Sequence, residues 1–113
     1  MSALAAEALN RCRKGTPPLT LDECAVLLEQ IPDWALAEHD GHPILERRYS
    51  FADFACALAF ANQVGALAEA ADHHPMLQLQ WGAVRVQWWT HVIPGLHRND
   101  FIMAARTGAL LDP

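Results

Sequence analysis

The chain has 113 residues, which is enough for one hydrophobic core and too few for two ordinary domains. Hydrophobic residues make up 52% and charged residues 19%, a balance typical of a globular protein rather than a disordered one. The formal net charge is -5 with no block of like charges, which argues against direct binding to nucleic acid.

The three cysteines, Cys12, Cys24 and Cys56, are odd in number and widely spaced, so they do not indicate a disulfide framework. The N-terminal stretch has Glu7 inside its apolar part and its basic residues after that part, the reverse of a secretory signal. No run of residues approaches the roughly 18 apolar positions that a membrane span needs. We therefore predict a soluble, cytoplasmic protein that does not bind membranes.

Residues 1–18 are predicted to form an arm outside the core, because Gly15, Pro17 and Pro18 interrupt any helix that begins near the N-terminus. The globular domain is then predicted over residues 19–113. The breaker-rich segment "RCRKGTPPL" marks the boundary between the two.

The domain is predicted to begin with a helix in "TLDECAVLLEQ". Thr20 and Glu23 have the spacing of a capping box, in which each side chain accepts a hydrogen bond from the other residue's backbone N–H. Apolar residues recur at helical spacing after them, and Pro32 ends the helix.

Two strands are predicted in "WALAEHDGHPILERRYSF", on either side of the turn signal Asp40-Gly41. The His42-Pro43 pair lengthens the connection, so the sequence does not require a tight two-residue hairpin.

The longest helix is predicted over about 52–71, with Ser50 as its cap and Asp53 three residues later. Alanine and other strong helix formers fill this stretch. Its apolar stripe is predicted from residues at helical spacing, namely Phe54, Leu58, Val64 and Leu67.

The stretches "MLQLQW" and "AVRVQWWTH" alternate apolar and polar residues, and Gly82 lies between them. Two alternating runs this close together predict an antiparallel pair with one buried face, and the pattern places Trp81 on that face. The opposite face of the second run is a candidate subunit interface, formed by Arg85, Gln87 and Trp89.

A third helix is predicted in "NDFIMAARTGALL". The element order α-β-β-α-β-β-α predicts an α+β fold, with one four-stranded antiparallel sheet and three helices packed on a single face.

Three histidines near predicted element ends are the candidate chemical groups. His73 and His74 occupy the exit from the long helix, because Pro75 restricts His74 to extended geometry and cannot continue the helix. At a helix exit both side chains can lean toward one cavity, and the helix C-terminus favours protonated imidazole. His91 falls at the far end of the last strand, which the predicted fold brings near the end of the helix.

Imidazole titrates near neutral pH, so this trio can donate a proton from one ring and accept a proton at another. A zinc site with Asp100 as a further ligand is the rival interpretation, although the sequence has no HxxxH and no CxxC. Ordinary structural roles at element ends are the third. Spacing alone leaves all three open. His39 and His42, beside a turn, are predicted to have no special role.

The sequence resembles the pterin-4a-carbinolamine dehydratase family over nearly the whole globular part, from about Pro17 to Leu111. Trp34 and "FADF" at 51–54 resemble the family's first-strand tryptophan and its pattern before the long helix. The specific matches, at spacings without a gap, are "EAADHHP" at 69–75, Trp81, "TH" at 90–91, "GL" at 95–96 and Asp100.

The resemblance implies a hydro-lyase that removes water from a 4a-hydroxytetrahydropterin, giving quinonoid dihydropterin in the recycling of tetrahydrobiopterin. It implies no cofactor and no metal, and assembly as homodimers or homotetramers. The alternative is a non-catalytic adaptor for dimerisation, assembly or transcriptional coactivation on the same scaffold. An adaptor has no need of all three histidines, so their presence favours the enzyme.

By resemblance, general acid/base catalysis falls to His73, His74 and His91. The substrate pocket is implied to include Asp72, Pro75, Trp89 and Thr90. Behind them, Glu69 and Asp100 are candidates for orienting the histidines.

The chain departs from the family pattern at Met76, where an acidic residue is usual, and at His97, where threonine or serine is usual. We expect His97 to cap the final helix poorly and to lie on the surface or at the pocket rim. Asp100 is expected either to cap that helix or to orient a histidine.

Overall fold

The computed structural model describes residues 3–111, which form a four-stranded antiparallel sheet covered on one face by helices. In chain order the elements are α1 (Leu21–Leu28), β1 (Ala35–His39), β2 (His42–Ser50), α2 (Phe54–Ala71), β3 (Met76–Gln80), β4 (Ala83–Trp88) and α3 (Arg98–Ala109). A short 3₁₀ turn, Leu4–Ala6, precedes them. The predicted α+β class and the order α-β-β-α-β-β-α are confirmed.

The strands lie in the order β1-β2-β4-β3. In the register of the last two strands, Met76 lies opposite Gln87 and Leu77 opposite Val86. The segment that leaves α2 and enters β3 therefore runs beside the segment that follows β4. This pairing brings the two histidine-bearing stretches of the chain together.

The capping box at the start of α1 is confirmed. The Glu23 N–H donates to Thr20 Oγ1 at 3.1 Å, and the Thr20 N–H donates to Glu23 Oε1 at 2.9 Å. The helix ends at Leu28, before the predicted end at Pro32, and its last turn tightens because the Ile31 N–H bonds to Leu28 O at 3.0 Å.

The β1–β2 connection is a tight two-residue hairpin, since His39 pairs directly with His42. The expectation of a longer connection is therefore wrong. Asp40 and Gly41 have φ values of 50° and 78°, the positive values that such turns need at both central residues. An aspartate followed by a glycine adopts them at low cost.

The cap of α2 is Asp53 rather than Ser50, which is still paired with Ala83 in the sheet. The Cys56 N–H donates to Asp53 Oδ1 at 2.8 Å, and this hydrogen bonding lowers the pKa of Asp53. The predicted apolar stripe is also partly wrong, because Phe54 and Leu58 remain 45% and 40% exposed. The face that packs on the sheet consists of Ala57, Phe60, Val64 and Ala68.

By length and composition α2 is the one helix among residues 3–111 that could cross a membrane, with a mean hydropathy of 1.3. One face of the helix packs on the sheet, and the polar residues Asn62, Gln63 and Glu69 interrupt its apolar surface, as is typical of an amphipathic helix in a globular domain. Trp81, predicted on the buried face, instead lies in the β3–β4 turn and is 70% exposed.

The N-terminal segment is packed on the domain, so the expectation that it stays outside the core is wrong for Leu4, which is fully buried. The Arg98 guanidinium donates to both carboxylate oxygens of Glu7 at 2.8 and 2.7 Å, and these hydrogen bonds lower the pKa of Glu7. Arg106 donates to the Glu7 carbonyl at 2.6 Å. Side chains of α3 thus fix the path of the arm.

Candidate active site

The exit from α2 is a left-handed turn at Asp72, with φ 49° and ψ 44°. The helix is closed there by the N–H of His73, which donates to the Ala68 carbonyl at 3.2 Å. Pro75 prevents the helix from resuming. The chain consequently reverses at this point and presents His73 and His74 beside the end of β4.

A cavity of about 620 Å³ lies at this junction. His73, His74 and His91 all line it, together with Asp72 and Thr90. The remaining lining residues are Leu9, Asn10, Arg11, Cys12, Ala71, Val92 and Asn99. The structure therefore places the three predicted catalytic histidines around one hollow.

The His73 ring is held in place by a buried carboxylate, that of Asp100. Its Nε2 lies 2.7 Å from Asp100 Oδ1, and the two side chains are 13% and 0% exposed. Its ring stacks on the buried Trp88 ring, with centroids 5.8 Å apart and planes 24° apart. Because a carboxylate accepts, Nε2 is the donor and Nδ1 is left available for other bonds.

Asp100 joins three segments through its carboxylate. Besides His73, it accepts from Thr90 Oγ1 at 2.7 Å and from the His97 N–H at 2.9 Å. The second of these contacts belongs to the start of α3. Both roles considered for Asp100, capping α3 and contacting a histidine, are present at once.

His74 and Glu69 form an exposed pair, with Nε2 and Oε1 2.6 Å apart and the side chains 52% and 77% exposed. The pair bridges the last turn of α2 and the residue before Pro75. Ion pairs this exposed contribute little to stability, so its main effect is on the orientation of the His74 ring.

His91 follows β4 and is exposed at the cavity. Its Nε2 lies 3.1 Å from the backbone carbonyl of His74. A carbonyl oxygen only accepts, so Nε2 carries the proton and Nδ1 has a free lone pair in the neutral ring. The imidazole also stacks on Trp89, with centroids 4.8 Å apart.

Four residues of the implied set do not line the cavity, and one of them is Asp100, which is buried and bonded to His73. Pro75 and Glu69 are neighbours of the lining histidines. Trp89 lines a second cavity of about 370 Å³, on the other side of His91. Its contact with the site is therefore through the His91 ring.

His97 caps α3, contrary to the expectation that it caps poorly. Its Nδ1 accepts from the Asn99 N–H at 3.0 Å while its own N–H donates to Asp100. Burial lowers the pKa of His97, which keeps the accepting nitrogen unprotonated. An imidazole nitrogen thus replaces, as the helix cap, the threonine or serine hydroxyl that the family resemblance implies at this position.

The arm forms one wall of the cavity, and the sequence carried no signal for it. The Asn10 N–H donates to Asn99 Oδ1 at 2.8 Å, and Asn99 Nδ2 donates to the Asn10 carbonyl. These bonds join residues that are 89 positions apart. A contact of this kind leaves no periodic pattern from which it could be predicted.

Among residues 3–111, no group of three or more His, Cys, Asp or Glu side chains is arranged to hold a metal ion. Two of the histidines considered for zinc are hydrogen-bonded to carboxylates: His73 to Asp100, and His74 to Glu69.

The family model for pterin 4 alpha carbinolamine dehydratase matches residues 17–110. The chain belongs to this family. A protein of Syntrophotalea carbinolica named "Putative pterin-4-alpha-carbinolamine dehydratase" is 53% identical over 112 residues, covering 99% of this chain and 100% of its own. A protein of the same name from Chlorobium limicola is 54% identical over 99 residues, covering 88% of each.

Two solved structures are also similar to this chain, at lower sequence identity than these relatives. A transcriptional coactivator/pterin dehydratase from Brucella melitensis has a TM-score of 0.74 and 31% identity, covering 83% of this chain and 98% of its own. A pterin dehydratase-like protein identified as a RuBisCO assembly factor in the alpha-carboxysome has a TM-score of 0.60 and 25% identity, covering 71% and 90%. The family and the relatives' names support a pterin dehydratase, a hydro-lyase; the coactivator and assembly-factor roles are those of the two proteins with solved structures.

Proposed function

We propose that this dehydratase-family protein converts 4a-hydroxytetrahydropterin to quinonoid dihydropterin and water by histidine acid/base catalysis. The observation that carries the proposal is the cavity shared by His73, His74 and His91. Its volume of about 620 Å³ lies within the range of small-molecule sites, roughly 300–1,000 Å³, and leaves room for a flat bicyclic ring.

The reaction needs a proton at one place and the removal of a proton at another. The C4a–O bond breaks as the hydroxyl group takes a proton and leaves as water. N5 loses its proton, and its electrons form the N5=C4a double bond. No atom changes its oxidation state in the net dehydration, so proton transfer by side chains suffices.

The hydrogen bonds of the histidines support this role. His73 and His91 each use Nε2 in a bond to the protein, which leaves Nδ1 of each ring for a substrate. His74, which is hydrogen-bonded to Glu69, lines the same cavity. Rings with one fixed nitrogen and one available nitrogen suit directed proton transfer.

The rate of dehydration of a synthetic 4a-carbinolamine tests this function. His74→Ala and His91→Ala are each expected to slow it at least about tenfold, because acid/base groups typically contribute 10²–10⁴-fold. Circular dichroism must show an intact fold in both variants. Rates equal to that of the unmodified protein in both would overturn the proposal.

The same proposal places the enzyme in the cytoplasm, in the recycling of tetrahydrobiopterin. All three cysteines, one of them buried, are free thiols, which suits a reducing compartment. The substrate is thus the spent pterin that a pterin-dependent hydroxylase releases, and the product is the oxidised pterin that a reductase accepts.

We also propose that the protein forms homodimers or homotetramers. α2 turns Phe54 and Leu58 outward, 45% and 40% exposed, and carries no lysine or arginine along its 18 residues. An exposed apolar stripe on a helix of this length supports self-association.

The second candidate function is a non-catalytic adaptor. It is favoured by the two structural neighbours, which are described as a transcriptional coactivator and an assembly factor. An adaptor would keep its partner binding when His74 and His91 are replaced, whereas the dehydratase would lose its rate. The same two variants therefore separate the candidates.

A further inference from the structure

The second cavity lies on the other side of His91 from the first. It is about 370 Å³ and shares His91 with the larger cavity. Trp89 and two histidines of the β1–β2 hairpin, His39 and His42, also line it. The two hairpin histidines, which were predicted to have no special role, thus line a cavity next to the candidate active site.

Three aromatic rings are stacked across this cavity. The His39 and Trp89 rings have centroids 4.9 Å apart with an interplanar angle of 27°. The Trp89 and His91 rings have centroids 4.8 Å apart, also at 27°. Trp89 therefore stacks with two imidazoles, one from the first hairpin and one from the candidate site.

The fold explains how His39 reaches this position. β2 separates β1 from β4, and β2 pairs Leu45 with Trp88, so that Ile44 is level with Trp89. Ile44 is only 1% exposed and lies in the wall of the same cavity. The tight Asp40-Gly41 turn ends β1 at His39, which places its ring over the end of the sheet.

The His91 ring depends on this stack for its orientation. Among residues 3–111 its one hydrogen bond is from Nε2 to the His74 carbonyl, and the side chain is otherwise exposed. A single hydrogen bond fixes one atom of a ring but leaves rotation about it. Stacking on Trp89 restricts that rotation, and stacking of His39 on Trp89 in turn restricts the Trp89 ring.

We propose that His39 is a positioning residue for His91, acting through Trp89. This inference rests on the proposed function for its effect on rate, but the contact chain itself is independent of what the site binds. Because His39 does not line the larger cavity, it affects proton transfer rather than substrate binding. Its weak pairing with Asp40, 3.4 Å away and largely exposed, is not part of the effect.

The experiment compares His39→Ala, His39→Phe and the control His42→Ala in the dehydration of a synthetic 4a-carbinolamine. His39→Ala is expected to lower kcat about threefold to tenfold, the equivalent of one lost aromatic pair, with KM changed by less than about twofold. His39→Phe, which keeps a stacking ring, should recover kcat to within about twofold, and His42→Ala should leave it unchanged.

The same proteins are compared by NMR through the ring C–H signals of His91. His39→Ala should move or broaden these signals, and His39→Phe should return a single defined set. Unchanged His91 signals in His39→Ala would overturn the inference whatever the kinetics. A His39→Phe protein as slow as His39→Ala would also overturn it, since stacking would then not be the cause. If the unmodified protein has no dehydratase activity, the proposed function fails and the NMR comparison alone decides the positioning role.

Discussion

Nε2 of His73 lies 2.7 Å from Oδ1 of Asp100, and the carboxylate is completely buried. Asp100 also accepts hydrogen bonds from Thr90 and from the backbone of His97. A buried acceptor with three donors defines where each donor lies. The position of the His73 ring is consequently coupled to the start of α3 and to the residue that precedes His91.

Asp100→Asn tests this coupling. The amide is close in size to the carboxylate but carries no charge and can accept at only one atom, so at least one of the three donors loses its acceptor. We expect kcat for dehydration to fall at least about tenfold. We expect the free energy of unfolding in urea to fall by about 2 kcal/mol, because the lost bonds involve a charged group.

The matched control for Asp100 is Glu69→Gln, which changes the exposed partner of His74 in the same way. Its free energy of unfolding should change by less than about 0.5 kcal/mol. A stability loss in Glu69→Gln as large as that in Asp100→Asn would contradict the distinction drawn between the buried and the exposed pair.

The cap at His97 makes stability depend on pH. Burial lowers the pKa of His97 below its usual 6.5, so the unfolded chain binds a proton more readily than the folded one. The contribution of His97 to the free energy of unfolding is therefore fully present above pH 6.5. It is lost as the pH falls through the lower pKa that His97 has in the folded protein. Urea unfolding at about pH 7.5 and about pH 5.5 should show the loss.

His97→Ser is the control for that pH dependence, because a serine hydroxyl caps a helix without titrating in this range. Its stability should decline less than that of the unmodified protein between the two pH values. Equal declines in both proteins would assign the effect to other groups.

The N-terminal arm forms part of the wall of the larger cavity, so detaching the arm should weaken substrate binding. Asn99→Ala removes both hydrogen bonds that attach Asn10 to α3, which frees the segment that borders the site. KM for the carbinolamine should rise about threefold or more while kcat changes less, because the histidines keep their own contacts. Steady-state kinetics with a synthetic carbinolamine measures both constants.

Glu7→Gln serves as the comparison for the arm. It weakens the ion pair with Arg98 outside the cavity and leaves the Asn10–Asn99 bonds in place. KM should stay within about twofold of the unmodified value. A KM increase in Glu7→Gln but not in Asn99→Ala would refute the role assigned to the wall.

If the protein self-associates through α2, a charged residue introduced into its exposed apolar stripe should lower the mass of the assembly. Phe54→Glu and Leu58→Glu place a carboxylate in the exposed apolar stripe, where an interface would desolvate it. Sedimentation analysis should then show smaller assemblies than those of the unmodified protein. Gln63→Glu, on the other flank of the same helix, should leave the mass unchanged, and an unaltered mass in all three variants would exclude this interface.

Several elements were predictable because their causes are local. The Thr20–Glu23 box, the alternation in β3 and β4 and the Pro75 stop each depend on residues within one or two turns. The predictions were wrong where the local sequence allowed two arrangements, such as two possible cap residues or two possible buried faces of one helix. Asp53 replaced Ser50 as the cap because the sheet already engages Ser50, and the small Ala57 and Ala68 faced the core in place of Phe54 and Leu58.

The element order and the histidine pair at the exit of α2 could be predicted from the chain alone, because short-range periodicity and one proline are enough to specify them. Which groups meet at that exit became visible only in the folded domain: Asp100 beside His73, the arm along the cavity and His39 against Trp89. These contacts join distant segments of the chain. Their geometry depends on strand register and packing, which no local pattern encodes.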